Sequence, residues 1–330
     1  MTAVLFTCAG QRVDIVSAFG RAGATTIATD VSDLAPALYH ADRRALVPPV
    51  DDPGYVAALA ELVQVHDVRL IVPLTDLDHL VLASNRDRFG EAVVLVPEPE
   101  AIARCGDKYL AHRFFEERGI GTPPTWLPDE LPAELPYPVL VKARRGFGSR
   151  HIYRARDRSE LDFFLGYTAV ESMVQAVCLG VEYSIDVLCD LDGRCLNAIP
   201  RTMIESKGGE SIKGMTIADP ELIEHGRLVA EELGLVGPGN VQCFREPDGE
   251  LRVTDVNPRF GGGFPLPTAA GSGYPELALQ LANGERPAPR LGEFREGVLM
   301  TRFFSEVILH DAGGTLERLD ERVEPIPGEA

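Results

Sequence analysis

Apolar runs and amphipathic stretches alternate through the first hundred residues. Residues 3–8 (Ala-Val-Leu-Phe-Thr-Cys) form an apolar run, and a helical stretch follows from about Val13 to Arg21. The pattern then predicts strands at 25–29, 45–47 and 69–73, a helix at 53–66, and a further strand at 93–96 before Pro97. Buried strands alternating with amphipathic helices predict a parallel α/β sheet. Residues 1–97 are read as this first domain.

The pattern then changes. Pro99–Arg104 and Lys108–Arg118 read as two short helices, with Asp107 as an N-cap and Gly119 as a stop. Residues 121–138 contain six prolines and read as a linker. Strands at 138–142 and 150–155 flank a glycine-bearing loop, and a helix covers about 158–166. Two hairpins with Asp-Gly turn signals follow, 181–190 with 194–201 and 239–246 with 250–257, separated by a helix at 219–233. This half is α+β with antiparallel sheet. The fold class is therefore α/β plus α+β. Residues 98–178 are expected to hold linker helices and a small subdomain, 179–310 a large subdomain, and 311–330 a polar tail.

The chain has 330 residues, 45% of them hydrophobic, enough for more than one core. Its formal net charge is -18. So acidic a surface repels phosphate backbones and anionic lipid, so neither nucleic acid nor membrane is expected as a partner. The cysteines at 8, 105, 178, 189, 195 and 243 form no CxxC pair and no zinc-like spacing, and read as thiols of a reducing compartment. With no leader-like start and no apolar run of spanning length, the expected location is the cytoplasm.

Against this acidic background, Lys142, Arg144, Arg145 and Arg150 place four cations within nine residues. Lys142 closes an apolar strand, and Gly146, Gly148 and Ser149 follow. Glycines let backbone N–H groups approach an anion closely, and a serine adds a donor. A surface turn with solvated basic residues is the bland alternative. The spacing is not that of a P-loop.

The segment Gly239-Asn-Val-Gln242 to Thr254-Asp255-Val-Asn257-Pro-Arg259-Phe-Gly-Gly-Gly263 is more unusual. With Asp248-Gly249 as a two-residue loop, Gln242 faces Asp255 and Asn240 faces Asn257. Gln242, Asp255 and Asn257 then share one face, with Val241, Cys243, Thr254 and Val256 on the other. A slip of one residue would destroy this arrangement. Three oxygen donors with one carboxylate suit Mg²⁺, which leans on nucleotide phosphates. Arg259 follows, placed to stabilise charge on a transferring phosphoryl group. The rival is a polar solvent face, but Asn and Asp are poor strand residues.

Two weaker signals remain. Glu182, Ser184 and Asp186 share a strand face, and a two-residue loop at Asp192-Gly193 puts Arg201 on the face of Glu182; a surface ion pair, worth little, is the alternative. Lys108 alone reads as an ordinary helix-start residue.

Taken together these segments resemble the ATP-grasp superfamily, in its carbamoyl-phosphate-synthase-like branch, which includes stand-alone amino-acid ligases. The resemblance runs from the N-terminal unit to about residue 305, as a Rossmann-like pre-ATP-grasp domain followed by a two-subdomain ATP-grasp fold. It implies that ATP is sandwiched between the two subdomains. Lys108, Lys142 and Arg145 would contact phosphates, under the loop of Gly146, Gly148 and Ser149. Gln175, Ala176, Val177 and Cys178 would form the hinge against adenine, and Glu182 would hold the ribose. Gln242, Asp255 and Asn257 would hold Mg²⁺, with Mn²⁺ the alternative ion. Arg259 and Arg201 would face the γ-phosphate and an acyl phosphate. The implied activity is an ADP-forming ligase joining a small-molecule carboxylate to an amine, with a homodimer as the oligomer the family raises. Two departures stand out: the family's hinge often begins with Glu, here Gln175, and its metal carboxylate is often Glu, here Asp255.

Three other readings stand beside it. Ala9-Gly10-Gln11 after the first strand and Asp30 after the second suggest a dinucleotide oxidoreductase, but the Gly-x-Gly-x-x-Gly spacing is absent. A bicarbonate-using, carboxy-phosphate-forming enzyme shares the same site, and a non-catalytic ATP-binding module would too. Substrate-lining residues are expected from Thr202–Gly214, including Glu205, Lys207 and Glu210, and from Gly261–Ala270, with Arg12 reaching the cleft.

Overall fold

The computed structural model describes residues 1–146, 151–207 and 210–319. Gly148 and Ser149 of the glycine loop lie outside them.

The first unit is a five-stranded sheet in the order Arg43–Leu46, Thr25–Asp30, Ala3–Thr7, Val68–Pro73, Val93–Val94. Every pairing is parallel. Ala3–Thr7 is buried along its whole length, which is why it reads as a continuous apolar run. The order reverses between Ala3–Thr7 and Val68–Pro73, so a crevice opens beyond the carboxyl ends of these two strands. Thr7 to Arg12 borders it on one side and Asp76 to His79 on the other.

The helices predicted at 99 and 108 are Pro99–Gly106 and Lys108–Glu117. Asp107 caps the second, accepting from the backbone N–H of Tyr109 and Leu110. The proline-rich stretch is more than a linker. Thr125–Trp126 within it pairs with Ser172–Ala176, completing a four-stranded antiparallel sheet with Val139–Ala143 and Ile152–Ala155. Helix Arg158–Tyr167 covers one face of that sheet, its Leu161 buried with Val139, Val141 and Val174.

The second antiparallel sheet runs Cys195–Thr202, Val181–Cys189, Gly237–Arg245, Leu251–Asn257. Ile185, Val187, Val241, Val253 and Val256 face a core built with helices Pro220–Leu233 and Lys108–Glu117. The opposite face carries Glu182 and Gln242 toward the smaller sheet.

The turn assignments need one correction, and it is the same in both hairpins. Neither loop has two residues. The N–H of Glu246 bonds to the carbonyl of Glu250, leaving Pro247-Asp248-Gly249 as a three-residue loop with Gly249 at φ 92°. Asp190 and Arg194 likewise enclose Leu191-Asp192-Gly193, with Gly193 at φ 83°. The extra loop residue would shift each register by one. A bulge absorbs the shift in each case, between Gln242 and Cys243 in one hairpin and between Leu188 and Cys189 in the other. Beyond the bulges the predicted partners return, Gln242 with Asp255 and Asn240 with Asn257, and Arg201 pairs with Ser184, on the face of Glu182.

Three other stretches differ from expectation. Glu205–Lys207 pairs with Glu210–Met215, so the supposed pocket loop is a hairpin. Pro265–Ala269 and Tyr274–Ala282 are helices. The stretch read as a polar tail begins with a short hairpin, Leu309–Asp311 with Leu316–Arg318. Among the described residues no helix is long and apolar enough to cross a membrane.

Candidate active site

A cleft of about 240 Å³ lies between the two antiparallel sheets. At one end it is apolar, with Leu140, Ile152 and Phe244 beside the segment Gln175–Cys178, where the strand Ser172–Ala176 ends. At the other it is polar, with Lys108, Lys142, Gly146, Glu182, Gln242, Thr254 and Asp255. A second cavity of about 120 Å³ shares Lys108, Gly146 and Asp255 and extends past Asn257 to Asp76 and His79 of the N-terminal unit.

Lys108 sits at the start of its helix. Its Nζ lies 3.4 Å from Asp255 Oδ1 and donates to the Gly146 carbonyl at 3.0 Å. Lys142 is buried at the end of its strand. Burial pushes its ammonium down to about 8; Asp255 opposes the shift and Lys108 adds to it. The Glu182 carboxyl is raised by burial, with Arg201 and Lys142 pulling the other way.

Gln175 gives its side-chain amide to Thr125 Oγ1 at 2.8 Å and is itself buried. The segment after it is pinned: Leu179 N–H donates to Glu246 Oε2 at 2.9 Å. Gly180 packs against the neighbouring hairpin so closely that a Cβ there would lie 1.8 Å from the Arg245 carbonyl oxygen. The Cys178 thiol is pushed up to about 12, first by burial and then by Glu246.

Gln242, Asp255 and Asn257 carry the expected oxygen donors along one sheet face. Asn257 Nδ2 donates to Asp255 Oδ2 at 3.3 Å, and its Oδ1 accepts from Arg259 Nη2 at 3.1 Å. Among the described residues no group of three His, Cys, Asp or Glu side chains could hold a metal. One carboxylate with two amides fits a hard ion that takes most of its ligands from water and phosphate, and two lysines stand alongside for the phosphates.

The remaining sites fall elsewhere. Arg145 is turned away from the cleft, 3.0 Å from Asp107 and 2.8 Å from Glu171. Its neighbour Arg144 pairs with the same Asp107 at 2.7 Å. Two of the four clustered cations thus secure the N-cap that sets Lys108. Arg201 is buried and joined to Asp186 at 2.8 Å, rather than to Glu182. Asn240 completes that network with Asp186 and Ser184. Gly261 and Gly263 allow it: a Cβ at 263 would lie 2.4 Å from the Arg201 guanidinium carbon. Glu205 is exposed and paired with Lys213 at 2.6 Å. Thr254 lines the cleft instead of facing the core, because it is the bulged residue.

Sequence reasoning missed Asp76 and His79. Arg259 Nε donates to Asp76 Oδ2 at 2.9 Å, and His79 Nε2 lies 3.0 Å from the Pro258 carbonyl. Arg12 does reach this region, donating to the carbonyls of Phe260 and Gly261 at 3.0 and 2.9 Å. The segment 258–261 therefore borders the crevice that a dinucleotide would need. Asp30, at the end of the second strand, accepts from the N–H groups of Gly10 and Ser32. Only long-range packing brings Asp76, His79 and Arg12 to residues 258–261, so local pattern holds no signal for these contacts.

A family model of the PylC-like N-terminal domain matches residues 4–96, and one for ATP-grasp in the biosynthetic pathway with Ter operon matches residues 168–303. The chain thus resembles the ATP-grasp superfamily, most directly over residues 168–303. The carbamoyl phosphate synthase large chain of Deinococcus radiodurans is 27% identical over 273 residues, 73% of this chain and 26% of that one. That of Hyperthermus butylicus is 32% identical over 189 residues, 50% of this chain and 17% of that one. The chain thus spans about a quarter or less of the curated relatives it matches. Among solved structures, the L-amino acid ligase from Bacillus licheniformis aligns at TM-score 0.68 and 18% identity, covering 90% of this chain and 78% of that one. The biotin carboxylase domain of Hydrogenobacter thermophilus 2-oxoglutarate carboxylase, solved with MgADP and bicarbonate, aligns at 0.70 and 20%, covering 90% and 73%. These likenesses show the ATP-grasp fold, with the Rossmann-like unit in front of it.

Proposed function

We propose that this ATP-grasp chain is a ligase that uses Mg-ATP to activate a carboxylate as an acyl phosphate and passes the acyl group to an amine. One observation carries the reading. Two lysines and one carboxylate converge at the polar end of a cleft whose other end is an apolar slot beside the end of the strand Ser172–Ala176. That is the polarity of a nucleotide, base at one end and polyphosphate at the other. In an acidic chain, Lys108 and Lys142 supply the local positive charge a triphosphate requires.

Leu140, Ile152 and Phe244 would enclose the base against Gln175–Cys178, and Glu182 would accept from ribose hydroxyls. Lys108 and Lys142 would hold phosphate oxygens, and Lys108 would turn from Asp255 toward them. Asp255, Asn257 and Gln242 would hold Mg²⁺, which shields charge between the phosphates. Arg259 would steady the γ-phosphoryl group while a carboxylate oxygen bonds to the γ-phosphorus and the bond to the bridging oxygen breaks, releasing ADP. An amine nitrogen then attacks the acyl carbon, phosphate leaves, and the amine gives up a proton. Positioning and electrostatics supply most of the catalysis in such phosphoryl transfers.

The test is to incubate the protein with Mg-ATP and pooled amino acids and small carboxylates, with and without bicarbonate, and to measure nucleotide products. ADP release that depends on the pool, and falls by about a hundredfold or more in Asp255→Ala, is expected. AMP as product would refute the acyl-phosphate route. A requirement for bicarbonate alone would move the protein to the carboxy-phosphate reading. ATP binding without turnover on any pool would favour a binding module.

A further inference from the structure

Four consecutive residues at the end of the metal-face strand, Pro258 to Gly261, are each held by a side chain of the N-terminal unit. His79 takes the carbonyl of Pro258, and Arg12 takes those of Phe260 and Gly261. Asp76 takes Arg259 through its side chain. Arg12 is itself fixed by Asp14 at 3.0 Å. The three backbone contacts fix where the chain runs. The fourth differs in kind, because it fixes the direction of a guanidinium.

Among the described residues Arg259 has three hydrogen-bond partners: Asp76 at Nε, the Phe260 carbonyl at Nη1 and Asn257 Oδ1 at Nη2. The Asn257 oxygen is also the donor that the metal face offers, so an ion binding there competes with Arg259 for it. Once that bond is given up, Asp76 is, among the described residues, the one charged partner holding the guanidinium. A charged hydrogen bond at 2.9 Å, backed by the neighbouring carbonyl, suffices to keep the fork from swinging into solvent.

We infer that Asp76 is a positioning residue for Arg259, so that the N-terminal unit sets the orientation of the phosphoryl-facing arginine. The inference rests on the acyl-phosphate reading. It assigns Asp76 no contact with substrate. Its effect passes wholly through Arg259.

That property is testable by a double-mutant cycle on binding, which needs no turnover. The probes are MgADP alone and MgADP with aluminium fluoride, a mimic of the transferring phosphoryl group, both titrated calorimetrically. Asp76→Ala should weaken binding of the fluoride complex by about tenfold and leave MgADP within about twofold. Asp76→Asn, nearly isosteric, should act in the same direction with a smaller loss. In an Arg259→Ala background, Asp76→Ala should have no further effect. Additive losses, or equal losses for both probes, would overturn the inference while leaving the ATP site standing. A wild-type protein that binds no MgADP would remove the reading beneath it, and the inference with it.

Discussion

Lys142 occupies the most consequential position in the cleft, buried at the end of its strand beside a second lysine. Burial holds its pKa near 8 against an ordinary 10.5. The sign follows directly: below about 8 the side chain is charged, and above it the charge is lost. Triphosphate binding to the free protein should therefore weaken as pH rises through about 8. Lys142→Arg should flatten the profile, because a guanidinium stays charged across this range. Titration calorimetry with ATP from about pH 6.5 to about pH 9.5 checks it, and a flat wild-type profile would refute it. The same depression destabilises the native state at low pH. The unfolded chain binds the extra proton between the two values, so stability should rise with pH from about 8 to 10.5. At this scale, what could be read in advance was whatever alternation along one strand decides. Gln242, Asp255 and Asn257 share a face because period-two geometry requires it. Arg145 misled, since a basic residue beside a glycine loop can serve the loop or the helix cap behind it, and Asp107 lies far away in sequence.

Among the elements, the segment after Ser172–Ala176 is governed by close packing. A methyl group at Gly180 has no room, because the Arg245 carbonyl oxygen would lie 1.8 Å from it. Gly180→Ala should cost about 1–3 kcal/mol, read as a lowered urea midpoint. Gly166, in a helix and with open space where its Cβ would stand, provides the control. Gly166→Ala should be neutral or stabilising by up to about 1 kcal/mol. Equal effects at the two positions would discount the packing argument. The helices Val13–Arg21, Tyr55–Val65, Lys108–Glu117, Arg158–Tyr167 and Pro220–Leu233 and both long hairpins were legible because amphipathic period, Asp-Gly turns and an N-capping Asp act locally. Thr125–Trp126 was not legible. Two residues among prolines carry no periodicity, and they become a strand only because Ser172–Ala176 offers them an edge.

At the scale of the whole molecule, the N-terminal unit acts as a clamp on residues 258–261. Arg12→Ala removes two hydrogen bonds from a charged donor and leaves two carbonyls to be resolvated. We expect a loss of about 1–3 kcal/mol, with faster amide exchange in the glycine-rich stretch after Arg259. Exchange unchanged there, as measured by mass spectrometry, would mean the clamp does not restrain that segment. The alternation of strands and helices made the parallel sheet legible, but not its crevice or what borders it. A strand order that reverses beside Ala3–Thr7 usually invites a dinucleotide. Here the rest of the chain reaches into that neighbourhood, which no window of local sequence could reveal.

The paired three-residue loops and bulges have a genetic consequence. In each hairpin a three-residue loop is matched by one bulged residue in the returning strand. Neither of the two is needed to keep the partners in place. With Pro247 removed, Glu246 still meets Glu250 across Asp248-Gly249; with Thr254 removed, Val253 and Asp255 become neighbours opposite Cys243 and Gln242. Lineages of this chain should therefore vary in length at these two places independently, each change leaving Asp255 opposite Gln242.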